Sequence, residues 1–282
     1  MSDAQQIKAE ILSMTPVGSY IHMSLSAPDV AEFVRPGHFV AVAVGGTGGG
    51  MLLRRAFSIH RATPGHSIEV VFAPHGQGTQ WLAEQTPGTV LDVIAPLGKP
   101  FALPREPMSA VLVAGGYGAA PMSMLVDELR ERGCHIQVVL GAATSDKLFG
   151  VLDMKRDADE VTVTTDDGSS GVRGRVTDVL PDVLTRSGAR AVYACGPMPM
   201  LKAVAEVAGL HGAYSQCAVE ESMACGIGVC MTCVLPVIGD DGVTRMVRSC
   251  VEGPVFRGDR VRWDDVDTIP ADAFGAPVVG GH

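Results

Sequence analysis

The sequence predicts a multi-domain chain of β plus α/β class: an antiparallel β-barrel, a parallel α/β domain and a small C-terminal domain built on a cysteine loop. Three observations carry that reading. Up to about residue 103, short alternating or apolar runs are broken by turn residues, with no long helical pattern. After Pro104, buried strand patterns alternate with helical ones. Farther on, four of the seven cysteines stand as C-x4-C-x2-C-x16-C. The boundaries that follow are 1–104, 105–212 and 213–263, with a tail over 264–282.

In the first part, strands are expected over 38–44, 56–60 and 67–73, punctuated by Gly37, Pro64-Gly65, Pro87-Gly88 and Pro96 at intervals that suit a small barrel. A short helix is expected over 80–85. Arg54 and Arg55 lead into a strand carrying Ser58. An arginine fork at a strand end binds pyrophosphate bidentately, and a nearby hydroxyl serves a ring nitrogen or a phosphate. A basic pair there is equally well explained as a solvated edge that discourages strand pairing, and the residues alone leave both readings open. The same holds for Gly76 and Gly78 before Thr79, which either expose backbone donors to an anion or simply turn the chain.

The second part opens with a buried strand over 111–114, a glycine turn and an amphipathic helix ending at Arg132, before Gly133. Further strands are expected over 134–143, 160–167 and 189–197, with a helix over 200–208. This alternation implies a parallel sheet of nucleotide-binding type, with ligands at the carboxyl ends of its strands. The loop Gly115-Gly116-Tyr117-Gly118-Ala119-Ala120-Pro121 lacks the third glycine of G-x-G-x-x-G, yet Pro121 suits the first turn of a helix whose N-terminus receives a phosphate. Cys195, Gly196 and Pro197 close another strand; a small thiol and a glycine there let a flat ring approach, or the thiol is simply a core cysteine. The eight histidines are scattered and form no metal-like or triad grouping in the sequence.

In the third part, Cys225, Cys230, Cys233 and Cys250 have the spacing of a plant-type [2Fe-2S] cluster with a distant fourth thiolate. Zinc sites usually place four cysteines as two close pairs, unlike this pattern, and an odd cysteine count disfavours a disulfide framework. Gly226 and Gly228 allow the loop to turn its backbone N–H groups toward sulfur. Met223, Ile227, Val229 and Met231 give it apolar flesh that either shields the sulfurs or offers a docking face. Two strands, over 233–238 and 244–247, are joined by the turn 239–242, and the tail shows no periodicity and reads as extended or frayed.

A net charge of −9 over 282 residues argues against general affinity for nucleic acid or anionic membrane. The polar start lacks an apolar signal region, and no run approaches the roughly 20 apolar residues of a membrane span. A cytoplasmic location with reduced thiols is the expectation.

Taken in order, these segments resemble the PyrK family, the electron-transfer subunits of class 1B dihydroorotate dehydrogenases, within the ferredoxin-NADP reductase superfamily. The likeness covers roughly residues 6–262 and is most specific in ESMACGIGVCMTCV followed by SCVEGPVF. It implies that Arg55, Ala56, Phe57 and Ser58 form the R-x-x-S motif for FAD, and that Val71, Phe72 and Ala73, with Gly78 and Thr79, complete the FAD contacts. It assigns the loop at 115–121 (Gly115, Gly116, Gly118, Pro121) and TTDDGSSG at 164–171 to NAD, and the four cysteines to a [2Fe-2S] cluster. The departures are the insertion GGTGGG at 45–50 and the tail beyond Trp263.

By the same resemblance, an FMN-containing catalytic dihydroorotate dehydrogenase subunit is the partner, in an α2β2 heterotetramer serving pyrimidine (UMP) biosynthesis. Electrons from its FMN reach NAD+ by way of [2Fe-2S] and FAD, with no side-chain general base needed in this chain. NAD is favoured over NADP because GAATSDK after the second strand shows no arginine fork for a 2′-phosphate. Two alternatives remain: a reductase subunit of a ferredoxin, sulfide or hydrogenase-type complex built on the same modules, and a non-enzymatic zinc-bound interaction module.

Overall fold

Alternation along residues 5–17 is sharp enough to place one face inward: Ala9 and Ile11 are fully buried, whereas Lys8, Glu10 and Leu12 face out. In the computed structural model, which describes residues 4–46 and 50–276, this stretch is a long strand, β1 (Gln5–Val17). Residues 47–49 of the GGTGGG insertion, with 1–3 and 277–282 at the ends, lie outside the described residues. Next come β2 (Tyr20–Ser26), a short helix α1 (Pro28–Ala31), β3 (Phe39–Val42), β4 (Arg55–Thr63), β5 (Ser67–Phe72), α2 (Gln77–Ala83) and β6 (Val90–Leu97). They close in the order β1-β2-β5-β4-β3-β6 as an antiparallel barrel around Ile11, Met23, Leu25, Ile59, Ile68 and Val93. Closure leaves no free sheet edge, which suits a domain this small.

The second unit runs β7 (Ser109–Gly115), a 3-10 turn over Gly116–Ala119, α3 (Met122–Glu131), β8 (His135–Ala142), α4 (Val151–Asp157), β9 (Glu160–Thr165), β10 (Val172–Arg173), α5 (Val176–Ser187), β11 (Ala191–Cys195), α6 (Met198–Leu210) and β12 (Tyr214–Ala218). A hairpin of β13 (Val234–Ile238) and β14 (Thr244–Arg248) follows, and β15 (Val255–Arg257) then returns. The large sheet has the order β10-β9-β8-β7-β11-β12-β15, parallel except for β15. Its central strand shows why both faces are covered: Ala110, Leu112 and Ala114 join the core under α3 and α4, and Val111 and Val113 join the core under α5 and α6. The chain reverses its direction of travel across the sheet between β7 and β11, so the crevice at their carboxyl ends is where a ligand is expected.

The sequence pattern overlooked α5, because Pro181 and the β-branched Val176, Thr177, Val179 and Val183 weaken the helical signal that burial of Leu180 and Leu184 enforces. Strands β12 and β15, on either side of the cysteine segment, both extend the large sheet. The tail also differs from the expectation of fraying, as far as residue 276. Arg262 pairs with Asp265 and Asp272, the Phe274 backbone N–H donates to the Thr244 carbonyl, and Arg245 lies 5.7 Å from the centroid of the Phe274 ring. Among the described residues, no helix is long and apolar enough to cross a membrane.

Candidate functional site

Strand β4 supplies one wall of a cleft of about 740 Å³ that runs between the barrel and the large sheet. Arg55, Ala56, Phe57 and Ser58 all line it, with Ala56 and Ser58 facing out and Ile59 turned into the barrel core. Phe57 is held by Phe72 at 5.3 Å between ring centroids. The Arg55 guanidinium lies over Gly78 so closely that a Cβ there would fall 2.7 Å from Nε. A side chain at 78 would therefore displace the Arg55 guanidinium, although Gly78 itself does not line the cleft. Thr79 does line it, and its hydroxyl accepts from the N–H groups of His75 and Gly76, fixing the start of α2. Val71, Phe72 and Ala73 complete this wall.

The opposite wall comes from the ends of β7 and β11. Gly115, Gly116 and Gly118 line it together with Cys195, Gly196 and Pro197. A Cβ on Gly118 would stand 2.5 Å from the Cys195 carbonyl oxygen, so the glycine loop seats directly on the end of β11. Pro121 precedes α3 but lies off the cleft. Burial, with Glu220 and Cys217 nearby, pushes the Cys195 thiol up to about 12. It is a neutral, compact group, not a thiolate.

Residues that sequence reasoning passed over also converge here. Tyr117 donates to the Glu220 carboxylate, joining the glycine loop to the segment that leads into the cysteine loop, and burial followed by that contact raises the Tyr117 pKa. Asp166, at the end of β9, and Lys147 and Arg175 line the nucleotide side of the cleft. Asp166 lies within the TTDDGSSG stretch that the resemblance assigned to NAD. Arg175 carried no such signal.

The cysteine loop has the curvature its glycines promised. Gly226 and Gly228 adopt φ of +72° and +84°, and the N–H groups of Ile227 and Val229 point at Cys225 Sγ, 3.5 and 3.4 Å away. The Thr232 hydroxyl donates to Cys230 Sγ at 3.1 Å; that bond, helped by the Thr232 backbone and by Cys225, draws the Cys230 thiol down to about 6. Burial first, and then Cys233, push Cys250 up to about 12. Arg248 clamps the loop by donating to the Gly228 carbonyl at 3.0 Å while paired with Glu252 at 2.7 Å. Cys233 and Cys250 are buried against Phe39, Ala41 and Leu97 of the barrel. A soft donor set with sulfur-directed N–H groups and two thiols in an apolar seat fits an iron-sulfur cluster, because a bound cation removes the cost of holding buried thiolates.

The apolar side chains of this loop divide. Ile227, Val229 and Met231 are 40%, 75% and 51% exposed, whereas Met223 turns inward, packs with the cysteine seat and lines the cleft. Phe39 does the same from the barrel side. Cleft and cysteine loop thus share a wall made of Phe39 and Met223.

The expectation that the histidines form no grouping is corrected. Strand pairing brings His22, His60 and Glu69 together, with one donor atom of each within 4.8 Å of the others. His22 lies 38 and 47 positions before the other two, and His60 and Glu69 sit on different strands, so no local periodicity announces this.

The description "iron-sulfur cluster binding domain of dihydroorotate dehydrogenase B" matches residues 220–262, and an oxidoreductase NAD-binding domain matches residues 112–206. The chain is 34% identical, over 94% of its length and 100% of the relative's, to the dihydroorotate dehydrogenase B (NAD(+)) electron transfer subunit of Desulforamulus reducens. It is 38% identical, over 85% of its length and 91% of the relative's, to the subunit of the same name from Geobacillus thermodenitrificans. Among solved structures, an NADH-dependent reduced ferredoxin-NADP oxidoreductase studied for flavin-based electron bifurcation superposes with a TM-score of 0.80 at 30% identity, covering 92% of this chain and 91% of that one. A ferredoxin NADP+ reductase from Neisseria gonorrhoeae with bound FAD and NADP, at TM-score 0.62 and 16% identity over 74% of this chain and 92% of that one, shares the fold.

Proposed function

Because the chain belongs to the family of dihydroorotate dehydrogenase B (NAD(+)) electron transfer subunits, we propose that it carries electrons from a catalytic dihydroorotate dehydrogenase subunit to NAD+. The observation that carries this reading is the wall shared by the cleft and the cysteine loop through Phe39 and Met223. It supports the reading because the cysteine loop and the cleft are then neighbours. When bound, an iron-sulfur cluster supplies one-electron transfer, a flavin links one- and two-electron chemistry, and a nicotinamide takes up hydride.

The chain's own residues bind and orient. Arg55, lying over Gly78, would hold the FAD pyrophosphate, and Ala56, Phe57 and Ser58 with Val71, Phe72 and Ala73 would line the rest of the FAD seat; Thr79 holds the start of α2 in place beside it. The glycine loop and the Cys195-Gly196-Pro197 corner admit the nicotinamide half of NAD, and the neutral Cys195 thiol leaves that approach free of charge. The stretch GAATSDK after β8 carries no arginine fork for a 2′-phosphate, which favours NAD over NADP. Cys225, Cys230, Cys233 and Cys250 ligate a [2Fe-2S] cluster, and the exposed Ile227, Val229 and Met231 meet the FMN-containing partner of an α2β2 complex.

Co-expression with the catalytic subunit tests this. A stable complex that reduces NAD+ with dihydroorotate is the expected result; a chain that binds FAD and iron but neither joins that subunit nor accepts its electrons rejects it. The 30% identity and TM-score of 0.80 to the ferredoxin-NADP oxidoreductase favour a second reading, a reductase subunit of a ferredoxin-linked complex. Reduction of NAD+ by reduced ferredoxin without dihydroorotate selects that alternative.

A further inference from the structure

The barrel's outer face carries a polar cluster that the electron-transfer reading leaves unused. His22 on β2, Glu69 on β5 and His60 on β4 come from three neighbouring strands. Alternation alone aims His22 and Glu69 outward, since Met23, Ile68 and Val70 fill the barrel core. His60 joins them at a register shift between Ile59 and Arg61, the kind of bulge that re-aims a side chain. His22 Nε2 and Glu69 Oε2 are 2.8 Å apart, and the His22 and His60 rings meet edge to face at 5.6 Å between centroids.

We propose that His22, His60 and Glu69 form a divalent transition-metal site of the zinc class at the seam between the barrel and the nucleotide domain. Two imidazoles and one carboxylate are a common zinc donor set that leaves a fourth position for water. His60 is prepared as a ligand in a way an ordinary packed histidine need not be. Its Nδ1 donates to the Ala120 carbonyl at 2.6 Å, which fixes the tautomer and leaves the lone pair on Nε2. Burial lowers its pKa, keeping the ring neutral. The nearby Arg61 charge is drawn aside by Asp127 on α3 at 3.1 Å. Donors around tetrahedral zinc stand about 3.3 Å apart, so the His22–Glu69 pair opens by roughly half an ångström as the metal takes the place of the proton between them, and the His60 donor, within 4.8 Å of both, closes on the same point.

Ala120 belongs to the glycine loop before α3, and the Phe149 ring, 5.4 Å from His60, precedes α4. An occupied site therefore ties three barrel strands to the segment that positions the nucleotide. This site lies apart from the cysteine loop, and the proposal does not depend on the function proposed above.

The test uses the full chain loaded with FAD and iron, so that the cysteines are already engaged. Zn2+ is titrated against a chromophoric chelator, and thermal unfolding is followed with and without Zn2+. The wild type is expected to take up one equivalent more than His22→Asn or Glu69→Gln, with affinity at least roughly tenfold above either variant, and to gain a zinc-dependent rise in Tm that both variants lack. Both substitutions sit at half-buried positions and keep polar side chains, so folding is retained. Equal zinc uptake by all three proteins, or none by any, overturns the proposal and leaves His22–Glu69 a plain hydrogen-bonded pair.

Discussion

The barrel wall of the cleft and the cysteine loop meet the same need, holding a cofactor in place, by opposite means. The barrel wall is finished before any ligand arrives: Arg55, Phe57 and Thr79 are fixed by strand register, by ring contact and by the start of α2, over a core that includes Ile59, Val70 and Phe72. The cysteine loop has little regular structure from 219 to 233 and is held by glycine curvature, the Arg248 clamp and the buried Cys233 and Cys250. The first is a preorganised surface, whereas the second depends on what it binds, because four thiols brought together are favourable only when a metal shares their charge. The two should separate under mutation.

The largest effect is expected from Cys233→Ser. If this buried cysteine is a ligand as proposed, its removal should abolish the visible iron-sulfur absorption and the iron content while FAD remains bound at full stoichiometry; loss of FAD to the same extent would show that the two seats are not independent. Next, Gly118→Val forces a side chain to within 2.5 Å of the Cys195 carbonyl. Overpacking of this kind costs about 1–3 kcal/mol, and chemical denaturation should register it together with a raised KM for NAD while the iron content stays intact. Arg55→Ala should weaken FAD binding by roughly 10- to 100-fold, the worth of a charge-assisted hydrogen bond, read by fluorescence as FAD dissociates, with the cluster spectrum unchanged.

The smallest effect concerns pH and the barrel alone. Burial opposes the Asp92 charge, but hydrogen bonds from Lys8, Arg54 and Gln6 hold its carboxyl at about 2, below the ordinary 3.8. A depressed acid stabilises the fold in full above the ordinary value, and that contribution is lost as pH falls through 3.8 toward about 2. Asp92→Asn should therefore be less stable than the wild type at neutral pH and converge with it in acid. A gap between the two that persists unchanged at the lowest pH would exclude this electrostatic origin.

The sequence by itself determined several of the elements and the spacing of the candidate metal ligands, because both are written locally, whereas it left β1, β2, α4, α5, β12 and β15 unmarked. Alternation marks β4, β5, β7 and β8 within one or two residues at most ends, and C-x4-C-x2-C-x16-C specifies four soft ligands whatever surrounds them. The R-x-x-S run at 55–58 and the glycines at 115–118 were legible as candidates, each with a plain structural alternative, and tertiary structure brings both to one cleft. Tertiary structure alone decided what touches across long sequence separations. It put Phe39 and Met223 between the cleft and the cysteines, seated Gly118 on Cys195, gathered His22, His60 and Glu69, and packed the tail against β14. The physical reason is that periodicity reports which way a side chain faces, while its neighbours across a sheet are set by register and a bulge, and those across a seam by which faces pack together.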